Sequence, residues 1–382
     1  MNNKNKDIDE YFISQTLNLA KKAEGFTSPN PMVGAIVVKD GLVIGDGYHE
    51  KAGLPHAEIT ALKKAGSRAK GATIYVSLEP CSHFGKTPPC IYAIKEYGIK
   101  RVVAAMKDPN PLVSGKGFDY LQNNGIEVAY GIFENKAKKL NEVFFKYITS
   151  GFPFITIKEA ITLNGKIGYR NIKEKSYISS KKSLEYMHYL RLINDSIMVS
   201  AKTVISDDPM LDARINDRNI KDKFLNKRYA KIILDTDLSI PLRSKVFETH
   251  GTVLIFTAKD YNNEKSKKKM LLEEKGAIIK DVYYNSKGER FLNLKEIFKV
   301  CAELKITSIL AEAGPNLFSS LIGEKFYDKL IFNITPYIFG NKDAVGLFET
   351  LDLKNKNMLK FYDLGSKKIG NEIFLTYYPK DE

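Results

Sequence analysis

Tryptophan is absent from this 382-residue chain, and cysteine occurs only three times. Cys81, Cys90 and Cys301 are too few for a disulfide framework, which points to a reducing compartment and a cytoplasmic protein. No run of about 18 apolar residues occurs, so a membrane span is not expected. The opening stretch, MNNKNKDIDEYFISQ, likewise lacks the apolar segment of a signal peptide. Arginine is scarce too: it supplies nine of the 59 basic residues, the rest being lysines spread along the chain. A net charge of +14 invites a nucleic-acid partner. Dispersed lysine, however, is more often a solvated surface, and arginine is the usual base reader. Even the run Ser266-Lys267-Lys268-Lys269 sits in a polar stretch of helical character. The charge suits the attraction of small phosphorylated molecules, with neither nucleic acid nor membrane as a partner.

What is present fits two domains, since 382 residues exceed one ordinary core and 43% hydrophobic residues can fill two. The chemistry is concentrated in the first. His56-Ala57-Glu58, followed by Pro80-Cys81 and then Cys90, is the pattern of zinc-dependent deaminases acting on nucleobase-type amines. One imidazole and two thiolates hold zinc (Zn2+) and leave its fourth tetrahedral position to water. The ion lowers the pKa of that water, so hydroxide is available near neutral pH. Glu58 is spaced to stay off the metal and shuttle a proton to the departing amine. A structural zinc site is the rival reading, but such sites are usually closed by four Cys or His ligands. Here the third cysteine, Cys301, lies far along the chain.

The first half alternates helix and strand. Helical spacing runs over 8–24, with Asp7 as a possible N-cap. Apolar strands are expected over 33–38 and 42–47, joined by Lys39-Asp40-Gly41. A helix opens at His56, a strand over 73–77 delivers Pro80-Cys81, and Pro88-Pro89 precede a helix over 90–97. Strands over 101–105 and 127–130 follow, and then a lysine-rich helix over 134–146. The three candidate ligands thus fall near helix N-termini, where unpaired N–H groups favour thiolate. Gly151-Phe152-Pro153 marks the domain boundary, giving domains of 1–150 and 151–382. The second half begins with a strand over 154–160 and a helix over 181–193. Strands over 196–200, 230–235, 252–257, 308–312 and 330–335 follow, with helices over 292–304 and 316–323. This too is an α/β domain, and 216–228 reads as an exposed loop.

Eight residues separate Cys81 from Cys90 in Pro80-Cys81-Ser82-His83-Phe84-Gly85-Lys86-Thr87-Pro88-Pro89-Cys90, where deaminases in general have two. This segment resembles the bifunctional deaminase/reductase family of riboflavin biosynthesis. Ser28-Pro29-Asn30-Pro31-Met32-Val33-Gly34, Gly47-Tyr48-His49 and Asp108-Pro109-Asn110-Pro111-Leu112-Val113 are similar to the same family. The resemblance implies an α/β fold with a cytidine-deaminase-like α/β/α domain, then a dihydrofolate-reductase-like α/β domain. It implies deamination of a diaminopyrimidinone carrying a ribose phosphate. Asn30, His49, His83, Lys86 and Asn110 would contact that substrate, with Lys86 neutralising the phosphate.

The second half resembles the family's reductase, which uses NADPH to turn the ribosyl group into ribityl. Lys158, Leu163-Asn164-Gly165-Lys166, Arg191, Thr203, Asp207-Asp208-Pro209, Leu211, Arg214 and Glu312-Ala313-Gly314-Pro315-Asn316-Leu317 carry the likeness. By that resemblance Lys158 and Asp207 are catalytic, and Lys175, Arg191, Leu211, Arg214 and Glu312 bind substrate. Arg191 and Arg214 would grip its phosphate. Tyr177, Thr203, Asp207, Gly314, Pro315, Asn316 and Leu317 would hold the cofactor, the last four at a helix start suited to anions. Two positions depart from the family: Asn164 replaces an aspartate and Tyr177 a tryptophan. A homo-oligomer, dimer or tetramer, is expected for this architecture. The alternatives are a deaminase acting on tRNA or single-stranded DNA, a deaminase with a non-catalytic second domain, and a zinc-stabilised binding module. The long Cys81–Cys90 segment speaks against the first and Glu58 against the last.

Overall fold

Alternating helix and strand close into two units, Met1–Phe152 and Pro153–Glu382. The computed structural model describes residues 3–84, 88–110, 113–169, 178–285, 290–340, 342–353 and 358–380. Lys86, Lys175 and Tyr177 therefore lie outside the described residues. Among the described residues no helix is long and apolar enough to cross a membrane.

The first unit holds strands β1 (Gly34–Lys39), β2 (Leu42–Tyr48), β3 (Thr73–Val76), β4 (Arg101–Ala104) and β5 (Glu127–Tyr130). They form one sheet in the order β2-β1-β3-β4-β5. β1 runs antiparallel to β2 and β3, while β3, β4 and β5 are parallel. Because successive side chains of a strand face opposite ways, β1 feeds two cores. Ile36 and Val38 pack with Phe12, Ile13 and Leu17 of helix α1 (Asn3–Lys21). Ala35 and Val37 pack with Leu62 of α2 (Ala57–Ala65), Ile91 and Ile94 of α3 (Cys90–Glu96), and Phe118 and Leu121 of α4 (Lys116–Asn123). The sheet is thus covered on both faces.

The expected helix over 134–146 is two helices, α5 (Glu134–Leu140) and α6 (Glu142–Ser150). The break is at Asn141, whose side-chain amide pairs with the backbone of Met32. Met32 N–H donates to Oδ1 at 2.7 Å, and Nδ2 donates to Met32 O at 2.9 Å. This long-range pairing fixes the segment that carries Asn30.

The second unit has a nine-stranded sheet in the order β11-β10-β9-β8-β12-β6-β13-β16-β15. Its strands are β6 (Phe154–Thr162), β8 (Ser196–Ser200), β9 (Ala230–Leu234), β10 (Thr252–Ala258), β11 (Ile278–Val282), β12 (Ser308–Ala311), β13 (Lys329–Thr335), β15 (Phe361–Ile369) and β16 (Glu372–Pro379). All pairings from β11 to β13 are parallel, and the last two are antiparallel. β7 (Lys166–Tyr169) and β14 (Ala344–Gly346) pair separately. Helices α7 (Lys181–Ile193), α8 (Ala201–Asp207), α9 (Arg218–Lys223), α10 (Asn263–Glu274), α11 (Leu294–Glu303) and α12 (Pro315–Gly323) complete the unit. The expected loop over 216–228 contains α9, started by Asp217, whose carboxylate accepts from the N–H groups of Asn219 and Ile220. Chain order reverses where β12 lies between β8 and β6, and a crevice at such a reversal is where α/β sheets bind ligands.

Two glycines seat the helix that carries His56 and Glu58. A Cβ on Gly45 would stand 2.2 Å from Ala61 O, and one on Gly47 would stand 2.8 Å from Ala57 O. Only bare backbone lets α2 lie so close on β2. Gly45→Ala is therefore expected to lower the stability of the first unit by about 1–3 kcal/mol, as overpacking usually does. An unchanged midpoint in thermal unfolding would show that α2 has room to spare.

Candidate active sites

In the first unit, strand ends and helix starts converge. His56 caps α2, Cys81 follows β3 and Pro80, and Cys90 is the first residue of α3 after Pro89. His56 Nδ1 lies 3.3 Å from Cys90 Sγ and 3.5 Å from Cys81 Sγ. All three donor atoms fall within 4.8 Å of one another. A tetrahedral zinc about 2.0–2.3 Å from nitrogen and sulfur sets such atoms about 3.5 Å apart, so the cluster has the size of the ion.

The protons of the cluster agree with that reading. Hydrogen bonds from Cys90 and then His56 pull the Cys81 thiol down to about 4. Its bond to Cys81 pushes His56 up to about 9. The Cys90 thiol is held well above its usual range by the same neighbour. Donors this close compete for protons, and a divalent cation resolves the competition by replacing them. Glu58, 3% exposed in the first turn of α2, bonds to the Cys90 sulfur, and burial pushes its carboxyl upward. Burial thus makes the protonated form of this carboxyl easier to reach than it is in water.

Around the cluster, His49 Nδ1 is 3.2 Å from Pro55 O, and Nε2 is 3.1 Å from Asn30 Nδ2. A ring nitrogen facing a carbonyl must donate, so Nε2 accepts from Asn30 and leaves the amide oxygen to meet another group. His49 itself is 2% exposed. It reaches Asn30 rather than open space, so it holds the amide in place. His83 is exposed, and Asn110 is half-buried with its N–H donating to Asp108 Oδ1 at 2.8 Å.

Two carboxylates, Glu79 and Asp108, were assigned no role from the sequence. Glu79 accepts from the N–H groups of Asp108, Gly115 and Gly117 at 3.1, 2.9 and 2.9 Å. It thereby ties the loop of Asn110 to the strand end that delivers Cys81. Burial pushes the Asp108 carboxyl up to about 6. The available signal was an acidic residue directly before Pro80-Cys81 at the end of an apolar strand.

In the second unit a cavity of about 1610 Å³ opens at the reversal of chain order. Single-ligand pockets run to about 1,000 Å³, so this one has room for a dinucleotide and a second molecule. Lys158, Arg191, Leu211, Arg214 and Glu312 line it, as do Thr203, Asp207 and the stretch Gly314, Pro315, Asn316 and Leu317. Lys158 is buried with Nζ 3.2 Å from Met187 Sδ, and burial lowers its pKa. Next to it, Glu159 accepts from Ala313 N–H at 2.5 Å. Leu211 has φ 48°, a left-handed conformation rare for a leucine and a frequent mark of functional sites.

The geometry narrows one expectation and accounts for one departure from the family. Arg191 does not present an open fork. Its Nε and Nη2 donate to Glu312 at 2.6 and 2.7 Å, and Nη1 donates to Asp212 O at 2.6 Å. Arg214 also lines the cavity but is exposed, and a single 3.4 Å ion pair from its Nε to Asp212 Oδ1 leaves it less committed than Arg191. Asn164 lies outside the cavity lining. Its Oδ1 accepts from Thr162 Oγ1 at 2.8 Å while Nδ2 donates to Phe339 O at 2.9 Å. The second bond requires an amide, which accounts for the departure from aspartate.

The model of the cytidine and deoxycytidylate deaminase zinc-binding region matches residues 6–106, and that of the RibD C-terminal domain matches 153–375. The riboflavin biosynthesis protein RibD of Aquifex aeolicus is 44% identical over 96% of this chain and 96% of its own. The chain belongs to the RibD family. Among solved structures, RibD of Acinetobacter baumannii superposes with a TM-score of 0.86 at 34% identity, covering 98% of this chain and 99% of that one. A Thermotoga maritima deaminase/reductase gives 0.82 at 32%, with the same coverage. As a RibD-family protein the chain is a bifunctional enzyme of riboflavin biosynthesis, a zinc-dependent deaminase and an NADPH-dependent reductase. The nucleic-acid deaminase and binding-module readings are not favoured.

Metal analysis is expected to find one zinc per chain of this RibD-family enzyme. Cys81→Ser should lose most of it, and Cys301→Ser, buried on α11, should keep it. Zinc retained by Cys81→Ser would sink the assignment of ligands. Glu312→Gln strips a buried guanidinium of its counter-charge, a change that typically costs about 3–5 kcal/mol. The second unit should then unfold at a lower denaturant midpoint, with zinc content unchanged.

Proposed function

We propose that the first unit removes an amine from a diaminopyrimidinone ribose 5-phosphate and the second reduces the ribosyl group of the product to ribityl. The solved Thermotoga maritima relative bears the name diaminohydroxyphosphoribosylaminopyrimidine deaminase/5-amino-6-(5-phosphoribosylamino)uracil reductase, and the substrate class follows that name. The observation that carries the reading is the clustering of His56, Cys81 and Cys90 in front of Glu58.

In this proposal His56, Cys81 and Cys90 hold the metal. Zinc, when bound, supplies a water acidic enough to attack the amine-bearing carbon near neutral pH. Glu58 takes the proton of that water and returns it to the departing ammonia. Asn30, held by His49, orients the pyrimidine edge, and His83 and Asn110 lie on loops beside the metal. Lys86 would meet the phosphate.

In the second unit NADPH supplies the hydride. Lys158, desolvated and with its pKa lowered, is suited to hand over the accompanying proton. Thr203 and Asp207 face the nicotinamide side, and the N–H groups that open α12 after Gly314 and Pro315 suit the cofactor's phosphates. Arg214 meets the substrate phosphate, while Arg191 orders Glu312 beside the reacting sugar. Leu211 belongs to the same wall, and Lys175 and Tyr177 keep the substrate and cofactor contacts that the family resemblance gives them. The compartment proposed is the cytoplasm, in keeping with three free cysteines. A homo-oligomer, dimer or tetramer, is in keeping with Leu163, Tyr337, Ile338 and Phe348, apolar and exposed about one turn.

Ammonia release and NADPH oxidation, measured with the diaminopyrimidinone ribose 5-phosphate, test the proposal directly. Glu58→Gln should keep zinc and fold yet lose ammonia release by about 10²–10⁴-fold or more. Given already deaminated substrate it should oxidise NADPH at the wild-type rate. Ammonia release near the wild-type rate in this variant would remove Glu58 from the mechanism. Failure of the wild-type protein to oxidise NADPH would leave a deaminase alone.

A further inference from the structure

His188 has no part in the chemistry described so far, and its surroundings are unusual for a histidine. It stands on α7 three residues before Arg191, so the two side chains share a helix face, and it lines the cavity. The residue is 7% exposed. Among the described residues its Nδ1 is buried without a hydrogen-bond partner, and no protein group bonds Nε2. Since Nδ1 is enclosed, the opposite ring edge with Nε2 faces the cavity. A proton on Nε2 makes the orphan an acceptor and turns a donor toward any ligand.

The charged groups that face the ring come from three segments. Arg191 of α7 and Arg214 of the stretch after α8 oppose its protonation. Asp212 of that stretch and Glu312 after β12 favour it. Burial and the two arginines prevail and hold the imidazole neutral, down at about 4. Asp212 Oδ1 is buried without a hydrogen bond but stands 3.4 Å from Arg214 Nε in an ion pair. Native proteins rarely leave a buried polar atom such as His188 Nδ1 unpaired unless something completes its site.

We propose that His188 is a further substrate-binding residue of the reductase, its Nε2 meeting the phosphate of the sugar-phosphate substrate and its ring taking up one solvent proton as that anion docks. A phosphate monoester carries about −1.5 to −2 charge at pH 7. Beside the ring it offsets the field of Arg191 and Arg214, and an opposite charge within about 4–6 Å favours the protonated imidazole. Protonation at Nδ1 then adds a second cation, beside Arg214, to the surroundings of Asp212. No covalent bond forms or breaks. The inference rests on the reductase reading of the cavity. The same chemistry could come from a phosphate of the dinucleotide, so the test separates the two.

The full-length protein contains five histidines, few enough to follow each ring by NMR. His188→Phe and His188→Gln each delete one signal and assign it. Ribose 5-phosphate should raise the titration midpoint of that signal by at least one pH unit, and NADP+ should raise it by less. In steady-state assays His188→Phe should raise KM for deaminated substrate at least tenfold with a smaller change in kcat, leaving KM for NADPH unchanged. A signal that ignores ribose 5-phosphate, or answers only to NADP+, overturns the proposal. Wild-type KM in both variants does the same. A signal that moves with ribose 5-phosphate in a protein unable to oxidise NADPH supports the phosphate site while ending the reductase reading.

Discussion

Donor atoms as close as His56 Nδ1 and Cys90 Sγ, 3.3 Å apart, stay so only if the backbone carrying them is held from outside. The first unit meets that constraint with main chain rather than with long side chains. Gly45 and Gly47 let α2 rest on β2, and the chain reaches Pro80 and Cys81 a few residues after β3 ends at Val76. Glu79 then fastens the stretch between β4 and α4 by the N–H groups of Asp108, Gly115 and Gly117. Rigid elements hold a metal site more exactly than loops do. The loops that carry Asn110 and His83 are left to meet the substrate.

The second unit solves a different problem, that of keeping charges under cover. Lys158 and Glu159 lie on the central β6, Glu312 follows β12, and Arg191 comes from α7. A buried ion pair is poor evidence for stability, because desolvation can cancel the attraction. The Arg191–Glu312 pair is better understood as a device of position. It directs a carboxylate and holds the backbone at Asp212, next to the left-handed Leu211. Lys158 has a thioether rather than a carboxylate nearest its Nζ, so its proton is held loosely.

Much of this was legible in the chain, and the remainder was hidden for identifiable reasons. Apolar runs such as Ser196–Ser200 announce a buried parallel strand, and α7 spans the same residues as its sequence pattern. The residues expected in the reductase cavity, apart from Lys175 and Tyr177, do line one space. The final hairpin of β15 and β16 was missed because Gly365, Lys367 and Lys368 interrupt any apolar alternation in its first strand. The break at Asn141 depends on Met32, more than a hundred residues away, and no local pattern can carry it. Arg191 read as an open phosphate clamp for the same reason, since its partner Glu312 is 121 positions distant. Glu79 was overlooked because its partners are backbone groups, which have no letter in the sequence.

The clasp between Asn141 and Met32 has a consequence for modularity. The zinc-binding family match ends at residue 106, yet the segment bearing Asn30 is secured by an amide 35 positions beyond that point. A fragment cut at the end of the match would keep every donor of the metal cluster and lose the fastening of its substrate-facing edge, together with β5 and the apolar cover of Ala137, Phe144 and Phe145. The smallest excisable deaminase therefore extends to the end of α6. Any lineage that split this gene into two would have had to place the cut between α6 and β6, in the few residues around Gly151.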